Sequence, residues 1–139
     1  MNIARWLVAI VAIYNFGGLI FDALIPFTAK MHIYNPAWKP HAKFHNTQSM
    51  IMGVMFGTLT LAILFAVPLT TTTFLIAVAT SGIYFWAMLV GQFFPGGVAW
   101  TDPEFESQVK RVAGLPPQKF VALMLTGLLA VAVLLVFAL

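Results

Sequence analysis

The chain contains no cysteine among its 139 residues, and only 8% of them are charged. The absence of cysteine excludes disulfides, thiolate metal sites and a cysteine nucleophile. The shortage of charge excludes an ordinary soluble domain, in which about a quarter of the residues are charged. The net charge of +3 comes from a few basic residues that lie between long apolar segments. That distribution is typical of a membrane protein, so we expect no nucleic-acid partner.

Apolar sequence is what the chain has in excess, with 61% hydrophobic residues and a mean hydropathy of +0.95. Four apolar segments cover approximately residues 3–27, 44–67, 73–94 and 119–139. A helix of about 20 apolar residues crosses a bilayer, because the hydrocarbon core is about 30 Å thick and each residue rises about 1.5 Å. The sequence therefore predicts an all-α, integral membrane four-helix bundle, formed as a single domain by residues 1–139 in the lipid bilayer.

The basic residues are distributed unevenly over the connecting loops. Six of the seven lie in loops 28–43 and 95–118 or at the edge of the second of these, and loop 68–72 has none. Loops that carry an excess of Lys and Arg remain on the cytoplasmic side of a membrane. This asymmetry predicts that loops 28–43 and 95–118 face the cytoplasm, in a protein of the inner (cytoplasmic) membrane.

The first apolar segment carries polar residues at helical spacing. Asn15, Gly18 and Asp22 follow a three-to-four residue repeat and are expected to share one helix face. A carboxylate within a span is costly and normally faces the bundle interior with a partner. Two roles for Asp22 remain open at this stage. It either makes a structural hydrogen bond, to Trp38, Lys30 or a histidine of the loop, or takes part in a functional site.

All three histidines lie in the polar stretch 31–49, which allows three explanations. In the first, they bind a non-haem metal: His41 and His45 have the i, i+4 spacing that places two imidazoles on one helix face, and His32 and Asp22 supply further ligands. In the second, a single histidine is the axial ligand of a haem. In the third, nothing is catalysed, the histidines lie in the headgroup layer, and the protein is a binding or accessory subunit.

His45 is the histidine best suited to a haem. We expect it to lie deepest of the three, and it heads a helix face that continues with Gln48, Ser49 and Met52. Methionine and aromatic side chains of the second and third segments, Tyr84 among them, would line an apolar pocket. The same stripe of side chains is also typical of ordinary packing within a bundle.

Two parts of the chain resemble the styrene oxide isomerase family. The first is Met31-His32-Ile33, then Trp38, then Ala42-Lys43-Phe44-His45 before a methionine-rich span; the second is the segment 91–97, Gly-Gln-Phe-Phe-Pro-Gly-Gly, at the end of the third span. The resemblance implies a membrane protein of four helices that assembles as a homotrimer. It also implies haem b bound at the subunit interface through His45, whose ferric iron acts as a Lewis acid on the oxygen of a small lipophilic epoxide. A hydride shift then gives the aldehyde without redox turnover.

The chain departs from that family at the substrate side of the site. Where the family has an asparagine in the second helix, this chain has the stretch 51–53, Ile-Met-Gly. The family's tyrosine aligns with Met88, and Tyr84 lies one turn earlier on the same face. The site predicted from the sequence thus consists of an iron ligand, His45, three catalytic side chains, Tyr84, Gln48 and Ser49, and four supporting side chains, Met52, Met88, Asp22 and His32.

Overall fold

A computed structural model describes residues 1–138 of the chain. Four helices in it are long and apolar enough to cross a membrane: Asn2–Leu24, Pro40–Ala66, Thr71–Gly91 and Pro117–Ala138, which we call spans 1 to 4. They confirm the prediction of an all-α bundle of four membrane helices. The predicted end of the fourth segment at residue 139 lies outside the described residues.

The four spans pack around a core of small and aliphatic side chains. Span 1 contacts each of the other three, span 2 contacts span 3, and span 3 contacts span 4. Val8, Leu64, Phe74 and Leu125 are among the fully buried side chains, and alanines fill the remaining close approaches. Much of the outer surface is also apolar, as lipid contact requires, because hydrocarbon is no better a solvent for polar groups than the bundle interior.

Span 2 approaches span 1 through two glycines. A Cβ atom added to Gly53 would lie 2.5 Å from the carbonyl oxygen of Asn15, and one added to Gly57 would lie 2.6 Å from that of Ala12. Both glycines are buried. Small residues four positions apart allow membrane helices to pack backbone against backbone, so this pair fixes how closely the two spans approach.

Span 1 ends earlier than its hydropathy predicts. Its last turn, Ile20–Leu24, is π-helical, and Ile25 is extended with φ −84° and ψ 116°. The prediction that this helix continues to about residue 27 was wrong, because Pro26 disfavours the helical conformation for the residue before it. A separate four-residue helical turn, Pro26–Ala29, then leads into the loop. Asp22 therefore lies within a π-turn at the end of the span.

Span 2 begins at Pro40, earlier than the predicted residue 44. Lys39 is extended and caps the helix, and Pro40 occupies the first turn, where its missing N–H leaves no hydrogen bond unmade. At the same end of the bundle, the indole Nε1 of Trp38 donates to Oδ2 of Asp102 at 3.1 Å. This hydrogen bond joins the loop after span 1 to the loop after span 3, so these two loops lie at the same end of the bundle.

Candidate functional site

Asp22 lies at the centre of a polar cluster between spans 1 and 2. Its Oδ2 accepts a hydrogen bond from Nδ2 of Asn46 at 3.1 Å, and its Oδ1 lies 3.5 Å from Nδ1 of His32. The side chains of His32 and Asp22 are only 18% and 14% exposed. We call Asp22, His32 and Asn46 the inner cluster. Of the three partners considered for Asp22, which were Trp38, Lys30 and a loop histidine, the histidine is in contact, and Trp38 bonds to Asp102 instead.

The imidazole of His32 has a defined orientation. Its Nδ1 lies 2.9 Å from the carbonyl oxygen of Thr28, which can only accept, so Nδ1 carries a proton and donates to it. In the neutral ring the lone pair is then on Nε2. The carboxylate of Asp22 lies on the Nδ1 side and would also pair with the imidazolium form. Asp22 and Thr28 therefore orient His32 with Nε2 as its unused ring nitrogen.

The polar face predicted for span 1 points into the bundle. Asn15 is fully buried, and its Nδ2 donates to the backbone oxygen of Ser81 in span 3 at 3.0 Å. One turn later, a Cβ atom added to Gly18 would lie 2.6 Å from the hydroxyl oxygen of Tyr84. Asp22 follows after a further turn. The shared face of Asn15, Gly18 and Asp22 is confirmed, and Tyr84 packs directly against it.

His41 and His45 form a second polar group, which we call the outer pair. Their Nε2 atoms lie 3.1 Å apart and their ring centroids 4.5 Å apart. Nδ1 of His45 lies 3.3 Å from Oε1 of Gln48. Because span 2 already includes Pro40, both histidines are helical and one turn apart. The expectation that they share a helix face is confirmed.

His45 is not the most buried of the three histidines. His41 and His45 are exposed on the surface of the chain, whereas His32 is partly buried. The reason is the orientation of span 2, whose inward face repeats every three to four residues through the following side chains: Asn46, Met50, Gly53, Gly57 and Thr60. His45 precedes Asn46 by one residue and so lies about 100° away around the helix.

The other predicted site residues lie in several different places. Gln48 and Met52 lie with His45 on the outer face, and Met52 is 43% exposed. Ser49 is half-buried, and its hydroxyl donates to the backbone oxygen of Asn46 at 2.8 Å. Met88 is half-buried and packs against the apolar core. Within one chain, the eight predicted side chains do not converge on a single pocket.

The ligands of the non-haem metal hypothesis, which are His32, His41, His45 and Asp22, do not form one assembled site in the described part of the chain. Across residues 1–138, no three His, Asp or Glu side chains come together in a group that could hold a metal ion. His32 contacts Asp22 and Thr28, while His41 and His45 contact each other. The two histidines of the outer pair therefore remain as the only convergent imidazoles within that range.

Asn46 is a member of the inner cluster to which the sequence pattern assigns no role. The position of Asn46 in span 2 would have indicated this role. It lies seven residues before Gly53, on the same helix face, and small residues mark the packed face of a membrane helix. A hydrogen-bonded group at the loop end was also missed, in which Oε1 of Gln92 accepts from Nζ of Lys119 at 3.0 Å and from Nε1 of Trp100 at 3.3 Å. These contacts join the end of span 3 to the start of span 4.

Fold and site together define a four-span membrane protein whose polar side chains gather at one end of the bundle. The chain belongs to the family described as "Family of unknown function (DUF6640)", whose model matches residues 9–132. Searches of the curated proteins and of the solved structures gave no match. The matched range includes both the inner cluster and the outer pair.

Replacing Asp22 with alanine should destabilise the bundle. The change leaves the amide of Asn46 without its acceptor and removes the carboxylate beside the ring of His32, and a buried donor without its partner costs about 1–3 kcal/mol. The free energy of unfolding, measured by titrating mixed micelles with SDS, should fall by that amount. Glu104→Ala, which removes an exposed carboxylate at the same end of the molecule, is the matched control. Equal stability of the two variants would show that the inner cluster does not hold spans 1 and 2 together.

Proposed function

We propose that the protein is a membrane-embedded, haem b-dependent isomerase that converts a small lipophilic epoxide to an aldehyde or ketone, with His45 as the iron ligand. The observation that carries this proposal is the exposed position of His45 at the mouth of span 2, with its Nδ1 against Gln48. A ligand so placed serves a group that lies between subunits rather than inside one chain. The resemblance to styrene oxide isomerases implies such a position, and a homotrimer.

The orientation of His45 suits a residue that would hold the iron of a haem. The Oε1 atom of Gln48 can only accept, so Nδ1 of His45 carries the proton and Nε2 holds the lone pair. Histidines that bind metals usually donate their other ring N–H to such a partner, which fixes the tautomer and the orientation of the ring. Nε2 of His41 lies 3.1 Å from Nε2 of His45. His41 is exposed at the first turn of the helix, so it can rotate away when an iron takes its place.

The helix face below His45 suits the apolar body of a porphyrin or of a second copy of the chain. From His45 and Gln48 the same face continues through Met52, Met55 and Leu59, at alternating spacings of four and three residues. These three side chains are 43%, 65% and 49% exposed. Methionine adapts its shape to irregular partners, and apolar contact with a second subunit would also keep water away from the iron. We infer a homo-oligomer, a trimer as the resemblance implies.

Ferric haem, when bound, would supply a Lewis acid that polarises the epoxide oxygen without proton transfer or redox change. The chain's own side chains hold the site around it. Gln48 fixes the ring of His45, and Met52 and Met55 exclude water. The hydroxyl of Ser49 already donates its hydrogen to the backbone oxygen of Asn46. Ser49 can therefore offer a ligand only the lone pairs of its oxygen. The hydroxyl of Tyr84 packs against Gly18, so a substrate contact from it would require the substrate to enter the bundle beside Gly18.

The test is a spectrum together with a product analysis. Protein purified in detergent should be red, with a Soret band, and should convert styrene oxide to phenylacetaldehyde in the absence of oxygen and of any reductant. Protein expressed under haem depletion is the control and should form no aldehyde. A colourless, metal-free preparation would remove the cofactor from the proposal. A haem spectrum without aldehyde would remove the isomerase activity and leave the ligand assignment standing.

A second candidate function is the binding of a divalent metal ion, and it rests on the distance between the two imidazoles of the outer pair. Their Nε2 atoms converge to 3.1 Å, which allows both to bind one divalent transition metal such as zinc, a metal that imidazole nitrogen suits. In that case the purified protein would be colourless, and metal analysis would find a stoichiometric metal. That metal would be lost from His41→Ala and His45→Ala alike.

A further inference from the structure

A cavity separate from the outer pair lies between the two loops at the polar end of the bundle. Its volume is about 520 Å³, and it is bounded by the loop after span 1, the loop after span 3 and the first turn of span 4. Small-molecule sites in proteins have volumes of roughly 300–1,000 Å³. The cavity is therefore large enough for a ligand, and its walls come from three separate parts of the chain.

The walls are aromatic, and one of the aromatic rings is fixed in place. Phe27, Trp38, Trp100 and Phe105 all line the cavity. The indole of Trp38 donates to Asp102, and the ring of His32 packs edge-on against it at 5.8 Å between centroids. Because the N–H of Trp38 is already engaged, Trp38 offers a ligand only its apolar ring. Such walls favour a molecule with a flat apolar body.

His32 supplies the cavity with an oriented hydrogen-bond acceptor. Among residues 1–138, the polar contacts of its imidazole are made through Nδ1, to Thr28 and Asp22. His32 is also one of the residues that line the cavity. Nε2, which carries the lone pair in the neutral ring, is therefore the atom left for a ligand, and a hydroxyl group is the simplest neutral partner for it.

We propose that this cavity binds a small aromatic alcohol or phenol, whose ring packs against Trp38 and Trp100 and whose hydroxyl donates to Nε2 of His32. Asp22, which lies outside the cavity wall, holds His32 in position from behind. The inner cluster thus supports His32, the residue that binds the ligand. The site is independent of His45 and of any haem.

Tryptophan fluorescence measures this binding directly. In a Trp6→Phe, Trp86→Phe background, Trp38 and Trp100 are the remaining indoles, and a bromine atom that contacts them quenches their emission. The probe is para-bromophenethyl alcohol, and para-bromo-ethylbenzene is the matched probe that lacks the hydroxyl. The alcohol should quench with a saturable curve in detergent-purified protein. Quenching that rises linearly with probe concentration would mean partition into the micelle and would overturn the proposal.

Variants of the cavity wall separate the hydroxyl contact from the apolar one. His32→Leu should weaken binding of the alcohol about fivefold, the loss expected for one hydrogen bond, and should leave the matched probe unchanged. His41→Leu, at the same end of the bundle, should change neither. Equal affinity of the alcohol for His32→Leu and the parent protein would overturn the assignment of His32. If His32→Leu does not fold, Ala99→Phe provides the test, because it fills the cavity from an exposed position. Ala99→Phe should abolish saturable quenching by both probes. Unchanged quenching would refute the site.

Discussion

Replacing His45 with alanine is expected to abolish the Soret band of the purified protein, whereas replacing His41 with alanine should leave it in place. The two side chains lie one turn apart and are both exposed, so the difference comes from what each ring contacts. Nδ1 of His45 is fixed by Gln48 at 3.3 Å. The ring of His41 stacks on Phe44 at 6.3 Å between centroids. Because Nε2 of His45 holds a lone pair, Nε2 of His41 donates its hydrogen to it and has no lone pair there for an iron.

Absorbance of haem per mole of protein measures this difference, and Gln48→Leu adds an intermediate case. Loss of the hydrogen-bonded partner of a ligating histidine typically weakens metal binding about 10–100-fold, so Gln48→Leu should retain haem only at higher haem concentrations. Haem lost from His41→Ala and kept by His45→Ala would reverse the ligand assignment. Loss from both alanine variants, with Gln48→Leu unaffected, would indicate a group held jointly by the two histidines.

The spans could be predicted from the sequence because the bilayer fixes the length of an apolar helix. Their ends could be predicted less well, because each is decided by local backbone chemistry that hydropathy does not measure. Pro26 follows directly after the extended Ile25, although its neighbours are apolar enough to continue the helix. Pro40 does the opposite and begins span 2 within a polar stretch. One proline therefore shortened a predicted span and another lengthened one.

The inward face of span 2 could not be predicted from hydrophobicity. In a soluble helix the apolar side chains mark the core, but in a membrane both the core and the lipid are apolar, so the two faces look alike. His45 and Asn46 are neighbours in sequence, yet Asn46 reaches Asp22 while His45 faces outwards. The glycines at positions 53 and 57 carry the missing information, since they require a close helix partner on the side of Asn46.

The contribution of the close glycine contact between spans 1 and 2 to stability can be measured by comparing two glycine-to-alanine variants, one at this contact and one away from it. Gly53→Ala adds a Cβ atom 2.5 Å from the carbonyl oxygen of Asn15. Because that oxygen belongs to the backbone, spans 1 and 2 must move apart, and overpacking of this kind costs about 1–3 kcal/mol. Gly127→Ala in span 4 adds a Cβ atom with nothing within 4 Å, so it should stabilise the protein by up to about 1 kcal/mol through helix propensity.

The two alanine variants should therefore change the free energy of unfolding in opposite directions, as measured in the same SDS titration. Moving span 2 away from span 1 also separates Asn46 from Asp22, because both side chains lie on the facing surfaces of these helices. Gly53→Ala should accordingly weaken binding of para-bromophenethyl alcohol as well, since His32 loses part of its support, whereas Gly127→Ala should not affect it. If Gly53→Ala proves as stable as Gly127→Ala, spans 1 and 2 do not approach at this glycine. The inner cluster would then lack the close helix contact that brings its three side chains together.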